Sequence, residues 1–378
     1  MPANNTKVVV LISCFNGRSD LPKCLESLRD SVDPDLQTHI LVVDNASTDG
    51  SGDYIRANFP NVECIRLDPN AGFTGGNNFG YEHIVASQSD AQYVALLNVD
   101  TEVESGWLRA LVDTMQNHDD AGAVQAKLLL HPDVLEDVRD DEKLDHAGNG
   151  AGKGAGHRII NTVGNRSHFL GFGFMIGYGE DDRGQYDQPR VIDFASGAAV
   201  LLRMDLLQQV GLFDQEMYMY LDDADLCWKL RQIGYQSYIA PKSVVYHKYR
   251  PNAPTKYYYY LERNRWILLL TYYRIPTLLL LLPALNLMDW GQIIFSLGQG
   301  TLGQKLRSMF YFWRPTKLAG VWRRRRIAQK RRTRRDRFFL SQFSGAIRSP
   351  VVEHPLLRWV GNPILSAYWA VVRKIIFW

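Results

Sequence analysis

The 378-residue sequence predicts an α/β protein in which a mostly parallel sheet lies between helices, followed by a helical C-terminal region of different composition. Three observations predict it. Short β-branched runs alternate with segments of helical spacing from residue 7 to about 130, the signature of a sheet sandwiched by helices. The runs are followed by clusters of Asn, Asp and Gly, as strand ends at a ligand crevice are. Residues 301 to 340 hold 14 of the 43 Lys and Arg but only one acid, Asp336, so the remainder of the chain is acidic.

The elements follow in order. KVVVLIS predicts a buried first strand, and LPKCLESL places Leu21, Cys24, Leu25 and Leu28 on one helix face. HILVVD, NVECIRL and QYVALLNVD predict three more strands, and WLRALVDTM a helix. Between the last two strands NAGFTGGNNFG, residues 70 to 80, reads as a glycine loop that opens into a helix. It lacks the lysine and hydroxyl residue that a P-loop needs after its last glycine. Ligands in such sheets lie beyond the carboxyl ends of the strands, which singles out Asn16, Asp44, Asn70 to Asn78, and Asn98 to Asp100. Residues 147 to 187 carry eleven glycines and read either as an excursion bordering a cleft or as a plain surface insertion. Order resumes with VIDFASGAAVLLRMDLLQQVGLFD. A helix then runs over DDADLCWKLRQIG, with Leu226, Leu230 and Ile233 on one face and Gly234 as its stop. Two short strands, YQSYIAP and SVVYHK, end the region near residue 250.

Trp266 to Met288 is apolar but interrupted by Arg274, Pro276 and Pro283. Its longest part, Ile275 to Met288, falls short of the ~20 residues of a spanning helix. An interfacial or re-entrant segment is expected there, and PILSAYWAVVRKIIFW mixes aromatics with Arg373 and Lys374 as interfacial helices do. The polybasic stretch RRRRIAQKRRTRRDR attracts anionic lipid or nucleic acid alike. The Trp and Leu blocks beside it favour an anionic membrane surface and no nucleic acid. Cys14, Cys24, Cys64 and Cys227 show no CxxC or metal-ligand spacing, so free thiols in a reducing compartment are expected. VVVLISCF is too short for a signal-peptide core, and the catalytic part is expected in the cytosol.

Each polar cluster has a bland reading beside a chemical one. Asp44, Ser47, Thr48 and Asp49 in VVDNASTDGS suit a plain turn and helix cap, or a carboxylate in the crevice. Asn98 and Asp100 are two apart, so a pleated strand end would aim both one way, an oxygen pair fit for a hard cation bridging a diphosphate. Asp222, Asp223 and Asp225 suit the positive end of a helix, yet three acids in four positions exceed what capping requires. His247 closes SVVYH, where a lone histidine is most often structural.

The ordered series Asn16, VVDNASTDG, NAGFTGGNN, LLNVD, FASGAAVLLR, GLFDQEMYMYLDDADLCWKLRQIGY and VVYHK closely resembles the family 2 glycosyltransferases, in particular their bacterial rhamnosyltransferase-like branch. The resemblance runs over about residues 7 to 265, roughly 70% of the chain. It implies a GT-A fold, a Rossmann-like mixed sheet, over residues 1–265, with 266–378 as the membrane-associating region. It implies an inverting hexosyltransferase using a nucleoside diphosphate sugar and a divalent cation, Mg²⁺ or Mn²⁺. The resemblance gives Asp44 the nucleobase side, Asp100 the metal with the ribose and diphosphate, and Asp223 the role of base. Asp222 stands where the family more often has glutamate, and His247 becomes a further metal ligand. Asn16, Asn45, Gly72, Gly75, Gly76, Asn77 and Asn98 complete the donor side, and Ser196, Gly197 and Asp225 the acceptor side. On this reading the glycines of residues 70 to 80 let backbone pass close to the donor, with the asparagines as uncharged hydrogen-bonding groups. A lipid-linked glycan acceptor and a peripheral or monotopic place on the cytoplasmic face of the cell membrane follow. The rival from another class is a silent nucleotide-sugar-binding or membrane scaffold protein, which would be expected to lose Asp100 or the Asp222 to Asp225 cluster; both are present.

Overall fold

A computed structural model of the chain describes residues 6–88, 90–139, 158–250, 257–348 and 355–378. These fall into two compact units. The first comprises residues up to Asn165, Met175–Cys227 and Gln236–Arg250, and the second Arg166–Phe174, Trp228–Tyr235 and Pro251–Trp378.

The first unit is built on one mixed sheet of ten strands: β1 (Thr6–Cys14), β2 (Leu36–Asn45), β3 (Glu63–Leu67), β4 (Tyr93–Leu97), β5 (Thr101–Val103), β6 (Ala121–Leu130), β7 (Ile160–Thr162), β8 (Arg190–Ile192), β9 (Ala199–Arg203) and β10 (Gln236–His247). Their order is β8-β10-β6-β9-β4-β1-β2-β3, with β5 on β10 and β7 on β6. β3, β2, β1 and β4 are parallel, β9 runs antiparallel to both β4 and β6, and β10 is parallel to β6. The carboxyl ends of β1, β2, β3, β4, β6 and β10 and the start of β9 therefore share one edge. The chain leaves β1 toward β2 on one side and reaches β4 on the other, the kind of switch point where such sheets bind ligands.

The helices of this unit are α1 (Leu21–Asp30), α2 (Ser51–Asn58), α3 (Gly72–Ser87), α4 (Trp107–Gln116), α5 (Pro132–Arg139), α6 (Met204–Val210) and the start of α7 (Asp222–Gln232). Val8 to Ile12 are wholly buried, as a parallel strand covered on both faces must be. Leu21, Cys24, Leu25 and Leu28 of α1, and Trp107, Leu108, Leu111, Val112 and Met115 of α4, close over that core. Each such side chain contributes about 1.5–3 kcal/mol by leaving water.

Three expectations are corrected here. The glycine loop is helical from Gly72 onward. A Cβ on Gly76 would fall onto the Ser13 hydroxyl and one on Gly80 onto the Leu11 side chain, so these glycines let α3 approach β1 closely. The two strands expected over residues 235 to 248 are one strand, β10, whose register against β6 shifts between Ala240 and Val244. Pro241 lies in that irregularity, where its missing N–H costs no ladder bond. The apolar segment expected to end at Met288 is part of one helix, α9 (Ile275–Gly298), with Pro283 inside it.

The second unit contains α8 (Tyr258–Tyr272), α9, α10 (Leu302–Phe310), α11 (Pro315–Arg331), α12 (Asp336–Phe339) and α13 (Asn362–Ile375). Its aromatic core stacks Trp228 on Tyr273 and Phe169 on Trp369, the latter pair 4.9 Å apart and 4° from parallel. Beside it lies a charge cluster that ties three helices together. Arg265 of α8 reaches Glu262 at 3.0 Å and Asp289 of α9 at 2.5 Å, and Lys305 of α10 reaches the same two acids at 2.6 and 3.1 Å. Buried Asp336 pairs with Arg332 and accepts the Arg274 N–H and the Thr277 hydroxyl. Arg325 donates to the Leu270 and Tyr273 carbonyls, completing the C-terminal end of α8. Part of the polybasic stretch is thus structural.

Candidate active site

The polar residues cluster along the shared strand edge. At its β2 end Asp44 is 1% exposed, because its carboxylate is drawn inward by the backbone N–H of Ser47 and by Arg66, 2.7 Å away on the adjacent β3 position. Asn16, with φ 51°, holds the same turn by accepting the Thr48 N–H, while its own N–H donates to Ser47. Asn45 is also buried, and its amide clamps the start of α3, accepting from Ala71 N–H and donating to the Gly72 carbonyl. Gly72 sits at φ +73° beneath the Tyr218 ring, which a Cβ would meet at 2.5 Å.

Gly75, Gly76 and Asn77 are placed differently from the open loop expected of them. All three are buried in α3, and the Asn77 amide donates to the Phe73 carbonyl of its own helix. Asn78 grips the backbone of Phe213 through both its amide groups.

At the β4 end the strand stops at Leu97, and Asn98 to Asp100 form a turn, so the two side chains are not aligned by strand pleat. The Asn98 N–H donates to Ala198 and its carbonyl accepts the Thr101 hydroxyl. Asp100 turns instead toward His247 at the end of β10, whose Nε2 is 3.5 Å from its carboxylate. The Asn161 Oδ1 accepts from His247 Nδ1 at 3.0 Å, which orients the ring with Nε2 toward Asp100. Burial would raise the Asp100 carboxyl, but the His247 imidazole and the nearby Lys248 charge outweigh it and hold the carboxyl below its ordinary range.

An imidazole nitrogen beside an ionised carboxylate, with the far ring nitrogen anchored, is a donor set that suits a divalent cation. Among the described residues no group of three or more His, Cys, Asp and Glu is arranged to hold a metal. A cation at this pair would therefore draw its remaining ligands from substrate oxygens and water, which is how Mg²⁺ is commonly bound.

The third cluster stands at the head of α7. Asp223 accepts the Ala224 N–H at 2.7 Å and the Gly197 N–H, which joins it to the Ser196-Gly197 turn before β9. Gly197 has a reason to be glycine, since its Cβ would press on the Phe73 ring at 3.3 Å. Ser196 donates its N–H to buried Gln125. Asp222 and Asp225 are 5% and 3% exposed, while Asp223 is half-buried. Burial pushes the Asp223 carboxyl up to about 6. Burial, and then the neighbouring Asp223 charge, push Asp222 well above the ordinary value. The acids are delivered by unusual backbone, for Tyr218, Tyr220 and Leu221 all have φ near +60°.

Sequence reasoning missed Arg66, Asn161 and Tyr218. A cation inside the apolar run CIRL, next to the strand ending in Asp44, was a signal for the first; the other two carry none without the fold.

Residues 9–210 match the family model described as glycosyl transferase family 2. An N-acetylglucosaminyl-diphospho-decaprenol L-rhamnosyltransferase of Mycobacterium tuberculosis is 26% identical over 216 residues, covering 55% of this chain and 66% of that protein. Just under two thirds of that relative's length is therefore matched. Glycosyltransferase AglE of Haloferax volcanii is 30% identical over 111 residues, 29% of this chain and 35% of that one. Among solved structures, GalNAc-T7 with UDP, GalNAc and Mn²⁺ aligns with a TM-score of 0.50 at 14% identity, covering 71% of this chain and 48% of that one. That likeness speaks for the GT-A fold alone.

Proposed function

Because the chain belongs to glycosyltransferase family 2, we propose that it moves a sugar, rhamnose being the first candidate, from a nucleoside diphosphate onto a lipid-linked glycan with inversion at the anomeric carbon. The observation that carries this reading is the Asp223 carboxylate. It is half-buried beside the Ser196-Gly197 turn and has its basicity raised by burial, on the same sheet edge as Asp100 and His247.

Inversion needs one in-line displacement. Asp223 removes the acceptor hydroxyl proton as that oxygen attacks the anomeric carbon and the nucleoside diphosphate departs. A carboxylate of pKa about 6 is a stronger base than an ordinary aspartate and is still mostly ionised at neutral pH. Asp222 is buried deeper, and burial and then the Asp223 charge push its carboxyl well above the ordinary value, so the pair resists carrying two charges at once. That difference names Asp223 as base and Asp222 as its electrostatic partner. Asp100 and His247 are the residues that would hold a divalent cation, which would supply charge compensation for the departing diphosphate. Asn16, Asp44 and Arg66 line the nucleoside end. The N-acetylglucosaminyl-diphospho-decaprenol in the name of the Mycobacterium tuberculosis relative is the model for the acceptor class here, and an acceptor of that kind supports a working position at the cytoplasmic face of a membrane.

The test has two stages. Thermal shift with UDP-, dTDP- and GDP-sugars, each with Mg²⁺ or Mn²⁺, identifies the donor. Transfer to a synthetic GlcNAc-diphosphate polyprenol, with the product linkage read by NMR, tests the chemistry. Inverted product that disappears in EDTA, with Asp100→Ala and His247→Ala raising the metal concentration required, is the expected result. Retained configuration, or full activity in exhaustively chelated enzyme, contradicts the proposal.

A further inference from the structure

We infer that the second unit docks with α9 lying in the plane of an anionic membrane leaflet, half-immersed along its whole length, and does not cross the bilayer. This rests on the reading above that the enzyme works at a membrane. α9 has the length and composition of a spanning helix. Its neighbours do not permit it to act as one.

The two sides of α9 differ in kind. Leu279, Leu287, Trp290, Ile294 and Leu297 are each 60–68% exposed, and no charge interrupts that side over 24 residues. The other side carries Asp289 and Gln292, both bonded to Arg265 of α8 and Lys305 of α10. Closer to its start, α9 is tied to α13 through Tyr368, which donates to the Leu280 carbonyl, and to Trp378, which donates to the Thr277 hydroxyl.

A spanning α9 would be about 36 Å long, centred near Leu287, and would draw these partners into hydrocarbon with it. α8 and α10 have 15 and 9 residues, short of the ~20 that a crossing needs, so both would end inside the bilayer. Exposed Arg307 on α10 would enter with them. In-plane docking requires none of this: the apolar side faces the acyl chains and the polar side stays covered by protein.

The charge pattern identifies the occupant. Among the described residues of this unit the acids are Glu262, Asp289 and Asp336, and each is held in an ion pair. Among the described residues every exposed charge of this unit is therefore a cation, including Arg323, Arg326 and Lys330 on one face of α11 and Arg373 and Lys374 of α13. Exposed Trp290, Trp313, Trp322 and Trp359 accompany them. A surface whose exposed charges are all cationic, set among exposed aromatic and aliphatic side chains, is complementary to anionic headgroups over acyl chains.

Leu279, Trp290 and Leu297 lie at nearly the same azimuth, 11 and 18 residues apart, so the outer two are about 27 Å apart along the helix. A nitroxide would be placed at each, in turn, by Leu279→Cys, Trp290→Cys and Leu297→Cys in full-length protein with Cys64→Ser, bound to phosphatidylglycerol-containing vesicles. Depth is read from oxygen against nickel-chelate accessibility. The expected result is one shallow depth at all three positions, within about 5–10 Å of the headgroups. A deep label at 290 flanked by shallower ones at 279 and 297 would show a span and overturn the inference while leaving the membrane reading intact. Labels that stay aqueous, with no flotation, would remove both. The transferase reading is judged separately, by transfer to a water-soluble acceptor. Replacing Arg323, Arg326 and Lys330 by glutamine, and sparing structural Arg325 and Arg332, should weaken vesicle binding on the order of 100-fold at low salt. The depth pattern of the bound fraction should stay the same; unchanged binding to anionic vesicles would refute the electrostatic half of the inference.

Discussion

Both units bury carboxylates, and they treat them in opposite ways. In the second unit Glu262 and Asp289 are enclosed by Arg265 and Lys305, and the Glu262 carboxyl is held below its ordinary range: burial alone would raise it, but the two cations prevail. At the head of α7 the acids face one another, and burial raises both Asp222 and Asp223. Burial of an acid is therefore uninformative by itself; the sign of the resulting shift separates an architectural carboxylate from one held ready for proton transfer.

The contrast is broken most severely by Asp223→Asn. Transfer should fall by about 10²–10⁴, with donor affinity, measured by calorimetry, close to wild type. The same change should raise thermal stability, since it removes a carboxylate the fold disfavours. Near-normal transfer by Asp223→Asn alongside a dead Asp222→Asn would reverse the assignment within the pair.

Next in size is Lys305→Met, which leaves Glu262 and Asp289 to share Arg265. Loss of about 3–5 kcal/mol from the second unit is expected, read as an earlier unfolding transition. A soluble-acceptor assay below that transition should show chemistry close to normal.

pH separates the two sets by sign. Asp223 has a folded value of about 6 against about 3.9 unfolded, so the folded state binds the extra proton between them. Its stability penalty is absent below pH ~4 and complete above pH ~6, at most about 3 kcal/mol. Asp223→Asn should thus gain stability over wild type as pH rises through that window. Glu262 is depressed, so its contribution is present above its ordinary value and is lost as pH falls through the folded one. Parallel melting curves from about pH 2 to 7 would test both; equal gain of Asp223→Asn at all pH values would reject the raised carboxyl.

The smallest expected effect is Asp222→Asn. Transfer should survive within about tenfold, with the acid limb of the rate profile unmoved, because burial and not Asp222 raises the Asp223 carboxyl.

Much of this was legible from residues. β1 to β4, α1, α4 and α7 were marked by β-branched runs or helical spacing, and the strand-end rule pointed to Asn16, Asp44 and Asp100. The first turns of α3 read as loop because glycine and asparagine are poor helix formers; only contact with Ser13 and Leu11 explains why small residues are wanted there. α9 was cut short because its apolar run stops at Met288, whereas the next residue, Asp289, is neutralised by Arg265 and Lys305 of other helices and Pro283, read as an interruption, is on the exposed side. The pairing of Asp100 with His247 joins residues 147 positions apart, a relation that no local pattern carries.

The left-handed backbone at Tyr218, Tyr220 and Leu221 bears on how this enzyme can diversify. Each position costs an L-residue of this kind about 1–3 kcal/mol, so random drift there should favour glycine and asparagine and purge valine, isoleucine and threonine. Glycine would relax the strain, yet it would also surrender the Tyr218 ring over Gly72 and let the acids behind it wander. Selection for thermostability and selection for turnover should therefore pull these three codons in opposite directions, and a deep mutational scan scored separately for abundance and for transfer would expose that conflict as a reversal of rank at the same sites.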